Sequence, residues 1–182
     1  MRTLRLLLLS LLPCMPAAPA RADETPAAPP CTIVLGQGRN VAAGDADANG
    51  LWDSVNLAFN TEVATRLKGA GVNVVALVLR VTATDLQSNV HKLLARAAAD
   101  HCTGIVETTI FADYAAGTLV ARIRDYPLVD DAAGGGEPSL RIGAPRYVVE
   151  RNFELTRSTL DRVRPAALGA EMANELIERA PR

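Results

Sequence analysis

The residues best suited to chemistry form an acidic run ahead of the first helix-like segment. Asp45-Ala-Asp47-Ala-Asn49-Gly50 matches the first six positions of an EF-hand calcium loop, and Asp53 stands at the ninth. Such a loop needs several side-chain oxygens on a short backbone, a glycine at a sharp turn and a helix that leaves the loop. The candidate calcium ligands are Asp45, Asp47, Asn49 and Asp53, in a calcium-stabilised ligand-binding module.

Two features of the run favour a different interpretation. Position 12 is Asn56 in place of the bidentate Glu, and the preceding segment has the pattern of a strand and a glycine-rich loop, not of an entering helix. The alternative is a polar connection in which Asp47 or Asn49 caps the following helix, whose N-terminus attracts acidic side chains. We favour this capping interpretation over calcium binding.

Arginines form a second group of interest. Five of them fall on two predicted strands and their connection: Arg122, Arg124, Arg141, Arg146 and Arg151. Arg122 and Arg124 share one face of a strand with Tyr126, an arrangement that suits an anionic partner or a glycan. The alternative, which we favour, is a solvated sheet face with ion pairs to Glu150 and Glu154.

The motifs of common enzymes are missing from the chain. It has no G-x-S-x-G, H-E-x-x-H, C-x-x-C or P-loop pattern. Gly36-Gln-Gly38 lacks the third glycine of a dinucleotide loop and leads into the acidic run, which would repel a phosphate. We therefore expect a protein that is not an enzyme and that has no cofactor apart from the calcium considered above.

The first 22 residues have the three parts of a secretory signal. Arg2 and Arg5 are basic, residues 6–12 are apolar, and Ala20-Arg21-Ala22 precedes a predicted cleavage site before Asp23. The apolar run is much shorter than the roughly 20 residues that a membrane-spanning helix requires. Since the alanine-rich, arginine-rich composition is typical of a bacterium with a GC-rich genome, we expect export to the periplasm.

The composition then describes one exported domain. The 182 residues have a net charge of -1, and removal of the three basic residues of the signal brings it to about -4, which excludes a nucleic-acid binder. Residues 23–30 predict a Pro/Ala-rich tether, and residues 31–182 a single domain. Cys14 stands where a lipid-attached cysteine could stand, but Pro13 replaces the small residue that such a cysteine follows. We expect no lipid anchor there.

The two remaining cysteines predict a disulfide and a strand order. Cys31 opens the first strand-like run and Cys102 precedes the third. Two cysteines in an oxidising compartment commonly pair, the alternative being two buried thiols. If the first and third strands are parallel neighbours, both begin at one sheet edge and the two Cα atoms come within disulfide reach. A pair between Cys31 and Cys102 therefore favours the sheet order 2-1-3.

Hydrophobic periodicity predicts an α/β fold with one mixed sheet of about five strands, in the order β-α-β-α-β-β-β-α. The predicted strands cover 31–35, 72–82, 103–110, 118–126 and 146–155, and the predicted helices cover 51–68, 85–99 and 159–179. The second strand is apolar on both alternating faces, so we expect an interior strand covered on both sides. Residues 130–138, with a triple glycine, predict a mobile loop, and Pro165 either kinks the last helix or begins its main part.

Several short motifs carry a resemblance to a group of small bacterial envelope domains. They are Trp52-x-x-Val55-Asn56-x-x-Phe59, Gly69-x-Gly71, Ala97-Ala-Ala-Asp100 before Gly104-Ile-Val, Arg124-Asp125-Tyr126, and Ala170-Glu-Met-Ala-x-x-Leu176. The group includes curli-secretion accessory proteins, penicillin-binding-protein activator lipoproteins and the amino-terminal domain of the Tol-Pal β-propeller protein. The resemblance implies a non-catalytic accessory or assembly domain that acts through protein-protein interaction with an envelope partner.

Overall fold

The computed structural model describes residues 30–39, 44–82, 85–131 and 139–179, and these form an α/β fold on a single mixed sheet. The strands are β1 (Cys31–Gln37), β2 (Asn73–Leu79), β3 (Cys102–Asp113), β4 (Thr118–Asp131), β5 (Ser139–Ile142) and β6 (Tyr147–Glu154). The helices are α1 (Ala46–Gly69), α2 (Leu86–Ala99), α3 (Arg157–Arg162) and α4 (Pro165–Arg179). The predicted fold class is confirmed. The predicted signal, most of the tether and the triple glycine lie outside the described residues.

The parallel half of the sheet has the predicted order. β1 lies between β2 and β3 and runs parallel to both. Cys31 is directly opposite Cys102 in the pairing of β1 with β3, and the two residues form a disulfide with their Cα atoms 4.2 Å apart. The predicted disulfide and the order 2-1-3 are both confirmed.

The helices cover opposite faces of the sheet. On one side, here the α1 face, α1 and α4 bury Phe59, Val63 and Met172 against the sheet. Gly169 permits this packing, because a Cβ at that position would lie 2.8 Å from the backbone oxygen of Phe59. On the other side, the α2 face, Leu93 is buried against the parallel strands. Helices on both faces agree with right-handed crossovers in the order 2-1-3.

The prediction for the second strand needs a correction. Its apolar side chains do reach both faces, since Val74 packs against the α1-face core, and Val75 and Leu77 pack against the α2-face core. However, β2 is the terminal strand of the sheet, and its burial is partial, with Val78 37% exposed. The order 2-1-3 leaves β2 one neighbouring strand, so helices on both faces cannot enclose it as they enclose β1.

The antiparallel half is longer and more broken than the periodicity predicts. β4 continues to Asp131, and its far end pairs with the additional strand β5 while its first part pairs with β6. Residues 143–146 separate β5 from β6 beside Pro127, whose carbonyl oxygen accepts a 2.9 Å hydrogen bond from the Gly143 N–H. A Cβ on Gly143 would lie 2.8 Å from Pro127 Cγ, so this close approach requires glycine. The interruption is therefore built around Pro127.

The predicted C-terminal helix is two helices. The chain leaves the helical conformation after Arg162 and α4 begins at Pro165, where the missing N–H costs no hydrogen bond. Pro165 therefore begins the main helix, one of the two alternatives considered. No helix in the described ranges is long and apolar enough to span a membrane.

Candidate functional site

A crevice lies on the α2 face beside the end of β1, at the point where the two helical connections of the parallel strands leave for opposite faces of the sheet. From β1 the chain crosses over α1 to β2 on one side, and from β2 it crosses over α2 to β3 on the other. In open α/β sheets, ligands bind at such a switch point, outside the carboxyl ends of the strands. A crevice of about 280 Å³ is present here, and its polar lining includes Gln37 and Arg39 at the end of β1, and Glu107, Arg124 and Tyr126 from β3 and β4.

Three of these side chains form one connected cluster. Glu107 and Arg124 are directly opposite each other on β3 and β4. Arg124 Nη1 lies 3.7 Å from Glu107 Oε2, and the Tyr126 hydroxyl donates a 3.2 Å hydrogen bond to the same oxygen. The cluster balances the Glu107 charge and orients Tyr126 along the crevice wall.

Beside this cluster, two arginines share one aromatic ring. The guanidinium carbon of Arg39 lies 5.3 Å from the ring centroid of Phe111, and that of Arg122 lies 5.6 Å from it. Both distances are within the range of cation-π attraction. Arg122 also donates to Glu150 over 2.5 Å, whereas Arg39 has no ion-pair partner among the described residues. Arg39 is exposed, so its charge is available to a ligand.

The floor between these arginines contains an unpaired hydroxyl. Thr109 is directly opposite Arg122 and precedes Phe111 by two residues, so all three side chains lie on the α2 face. Thr109 is 1% exposed, and its Oγ1 has no hydrogen-bond partner in the described structure. Buried polar atoms are nearly always hydrogen-bonded, so this oxygen beneath the surface of the site is an exception.

Glu150 closes the site on β6, and its charge is stabilised. A 3.0 Å hydrogen bond from Asn152 is the largest cause of a lowered pKa at Glu150, and the hydrogen bond and charge of Arg122 act in the same direction, while burial opposes them. Glu150 is therefore ionised at neutral pH, and it neutralises Arg122 without reaching Arg39.

Together these residues form what we name the arginine-aromatic face. Its members are Arg39, Glu107, Thr109, Phe111, Arg122, Arg124, Tyr126 and Glu150. Three cationic groups face two carboxylates, which leaves an excess positive charge beside an aromatic ring. This arrangement can bind a carboxylate or another oxyanion.

Two other clefts on the described surface have no comparable free charge. A larger one, of about 370 Å³, contains Asp125 and Arg146 on the α1 face. Two hydrogen bonds, of 2.8 and 3.0 Å, join their side chains, so these charges satisfy each other. A third cleft, of about 220 Å³, is mainly apolar and has Tyr114 and Leu160 in its lining. Neither cleft combines a free cation with an unpaired buried hydroxyl.

The five predicted arginines do not form one group. Arg122 and Arg124 lie with Tyr126 on the α2 face, and Arg122 forms the predicted ion pair with Glu150. Within the described residues, Glu154 forms no such pair. Arg146 binds Asp125 and Arg151 binds Glu175, both on the α1 face, and Arg141 is exposed on β5. The predicted solvated face with ion pairs therefore describes only part of the set.

The predicted calcium residues follow one another at the start of α1 and do not converge. Asp45 caps the helix by accepting a 2.8 Å hydrogen bond from the Ala48 N–H, while Asp47 and Asn49 lie within the helix. One turn later, Asp53 Oδ1 accepts a 2.7 Å hydrogen bond from the Val81 N–H. The cap is thus Asp45, two residues before Asp47 and four before Asn49, the two residues that the capping interpretation named.

The residue at position 12 of the calcium pattern points into the core. Asn56 is 2% exposed and binds the backbone of Ile110 through both ends of its amide. In the described ranges, no group of three or more His, Cys, Asp or Glu residues could hold a metal ion. Calcium binding by Asp45, Asp47, Asn49 and Asp53 stays a prediction, and thermal melts with calcium and with a chelator test it directly.

The sequence patterns did not identify four residues of this face, namely Arg39, Glu107, Thr109 and Phe111. Alternation along the third strand places residues 107, 109 and 111 on one face, and the order 2-1-3 brings the end of β1 beside them. Those two signals together could have joined Arg39 to the predicted group of Arg122 and Arg124.

No protein-family model matches the chain, and a comparison with curated proteins finds no match.

Proposed function

We propose that the chain is a non-catalytic accessory domain of the bacterial cell envelope, located in the periplasm, that binds another protein through the arginine-aromatic face. The observation that carries this proposal is the pair Arg39 and Arg122 over one Phe111 ring, with Arg39 lacking a carboxylate among the described residues. The occupant that fits is an acidic segment of a partner protein, whose carboxylate takes the place of the missing counter-charge.

The strength of this interaction follows from its exposure. An exposed ion pair contributes about 0.2–1 kcal/mol, so a carboxylate on Arg39, which Glu150 does not reach, changes the affinity by roughly 1.4- to 5-fold. Such pairs weaken as salt shortens the Debye length to about 8 Å at physiological ionic strength. Binding to this face is therefore moderate in affinity and sensitive to salt, which suits an accessory factor that engages its partner reversibly.

Three features support the compartment and the non-catalytic role. The secretory pattern of residues 1–22 and the Cys31–Cys102 disulfide agree with an oxidising, extracytoplasmic location. Because both cysteines of the domain are in the disulfide, neither can act as a thiolate nucleophile. The resemblance to envelope accessory domains points to the same role.

The proposal is tested by crosslinking and capture from periplasm. The wild-type chain should capture a reproducible partner after mild crosslinking, and the double variant Arg39→Gln, Arg122→Gln should capture less of it. Arg157→Gln with Arg164→Gln is the matched control, because both arginines are exposed on the segment around α3, away from this face. Thermal melts of both double variants confirm that each is folded.

A titration with a labelled Glu-rich peptide tests the chemistry separately. Affinity for this probe should fall with added salt and with Arg39→Gln, Arg122→Gln, and should not change in the control. Equal binding by both double variants would overturn the assignment of the face, and a protein that captures no partner under any condition would overturn the proposed function.

A further inference from the structure

The two edges of the sheet are built differently. The outer strand β6 carries Glu150, Arg151 and Glu154, and charges on an edge strand prevent pairing with other chains. The other edge is β2, with the sequence Asn-Val-Val-Ala-Leu-Val-Leu, which has no charge and no proline. Its pairing with β1 is continuous over all seven residues, without a bulge. Within the described residues, no strand pairs with its outer side.

The free hydrogen-bonding groups of β2 can be assigned. The carbonyl oxygen of Leu79 accepts a hydrogen bond from the Gly38 N–H, so the backbone of Leu79 faces β1. Because the backbone groups of successive strand residues point to opposite sides, those of Val74, Ala76 and Val78 point outward. This edge can therefore pair with another extended strand.

We propose that β2 pairs antiparallel with β2 of a second copy of the chain, about a two-fold axis at Ala76, so that the two sheets become one. Val74 then lies opposite Val78 of the partner subunit, and Ala76 lies opposite Ala76 of the partner subunit. In an antiparallel pair each such position exchanges two hydrogen bonds, so the edge forms roughly six. The symmetry closes the assembly at two chains.

The second copy is the occupant that this edge fits best, because β2 is complementary to itself. On the α1 face, Val74 meets Val78 of the partner subunit, and on the α2 face, Val75 meets Leu77 of the partner subunit. Both apolar cores of the domain therefore continue across the junction. The charged residue nearest to β2 in sequence, Arg80, lies roughly 26 Å from its symmetry mate at about 3.3 Å per residue, so the two Arg80 charges do not meet.

The proposed junction is separate from the arginine-aromatic face. β2 and the β3 residues of that face lie on opposite sides of β1, so a dimer leaves the face of each copy open. The dimer would present two such faces to a partner.

The oligomeric state tests the pairing through two matched substitutions. Light scattering across a dilution series of the full chain, as processed and purified from its bacterial host, should show a dimer that dissociates on dilution. Val78→Lys on β2 should be monomeric at concentrations where the wild type is dimeric. Val148→Lys on the charged edge β6 is the control, since Val148 is 48% exposed and Val78 is 37% exposed. It should remain dimeric.

Cysteine variants of the processed chain, which lacks Cys14 after the predicted cleavage before Asp23, test the register. Ala76→Cys should give a covalent dimer on mild oxidation, because opposite residues of a hydrogen-bonded pair lie about 5.5 Å apart, within disulfide reach. Val78→Cys should not, since its symmetry mate is roughly 13 Å away along the strand. A wild type that is monomeric at every concentration, as it would be if another part of the chain covered this edge, overturns the proposal. Crosslinking at Val78→Cys and not at Ala76→Cys overturns the register.

Discussion

The hydrogen bonds of Asn56 allow the sharpest test of how α1 is held against the sheet. Pairing of β1 with β3 ends at Thr108, so β1 does not reach Ile110. The side chain of Asn56 takes its place: Oδ1 accepts from the Ile110 N–H at 2.9 Å, and Nδ2 donates to the Ile110 carbonyl at 3.0 Å. Asn56→Leu keeps the size of the side chain and leaves both of these backbone groups without a partner.

The expected cost follows from those two groups. A buried donor or acceptor left unsatisfied costs about 1–3 kcal/mol, so Asn56→Leu should lower the free energy of unfolding by roughly 2–6 kcal/mol. At 2–4 °C for each kcal/mol in a domain of this size, the melting temperature should fall by roughly 4–24 °C. Urea unfolding followed by circular dichroism measures the change, with an unchanged m-value showing that the two-state comparison is valid.

The matched control is Asn174→Leu, an exposed asparagine on α4, which should change stability by no more than about 0.5 kcal/mol. If Asn56→Leu is as stable as Asn174→Leu, the amide does not substitute for a strand and the reasoning is wrong.

Three further changes have expected outcomes. Replacing Cys31 and Cys102 by Ala opens a loop with a sequence separation of 71 residues and should lower the free energy of unfolding by about 4 kcal/mol, measured by urea unfolding against the oxidised wild type; an equal midpoint would contradict this. Arg146→Leu removes the partner of Asp125, which is 6% exposed, and should cost about 1.5–3 kcal/mol in the same assay, whereas Arg164→Leu should be neutral within about 0.5 kcal/mol. Asn152→Ala should raise the pKa of Glu150 toward 4.5, as measured by NMR titration of the Glu150 side chain. Arg122→Gln should raise this pKa as well. Because the folded-state pKa of Glu150 is lowered, its contribution to stability is complete above 4.5 and is lost as the pH falls through the lowered value. An unchanged titration in Asn152→Ala would refute the assigned cause.

The cysteines made the strand order predictable. A disulfide between the starts of two strands favours parallel neighbours, and the structure has Cys31 directly opposite Cys102. The hairpin of β3 and β4 was equally predictable, because a short turn forces antiparallel pairing. In both cases a disulfide or a short turn determines which strands pair, so the pairing can be predicted without knowledge of other long-range contacts.

Periodicity could not separate an edge strand from an interior one. β2 is apolar on both faces because helices pack on both faces, and that pattern is the same whether one strand or two lie beside it. The usual sign of an edge is a charge or a proline, and β2 has neither. The site was hidden for a similar reason, since Arg39 meets Phe111 only through the sheet order.

The break between β5 and β6 also escaped prediction. It depends on the close contact of Gly143 with Pro127, a pair of residues distant in sequence. Asn56 was considered only as position 12 of the calcium pattern, where it counted against calcium binding, and its structural partner, Ile110, is 54 residues away.

The disulfide also determines how the domain bears tension between its two ends. A pull on the N-terminal segment enters at Cys31 and passes through the sulfur bridge to Cys102 in β3, so it bypasses every residue in between. β1, α1, β2 and α2 all lie inside that closed loop and cannot be extended while the bridge is intact. Among the described elements, force between the two ends can therefore extend the antiparallel strands and the C-terminal helices, whereas the segment from Cys31 to Cys102 cannot lengthen.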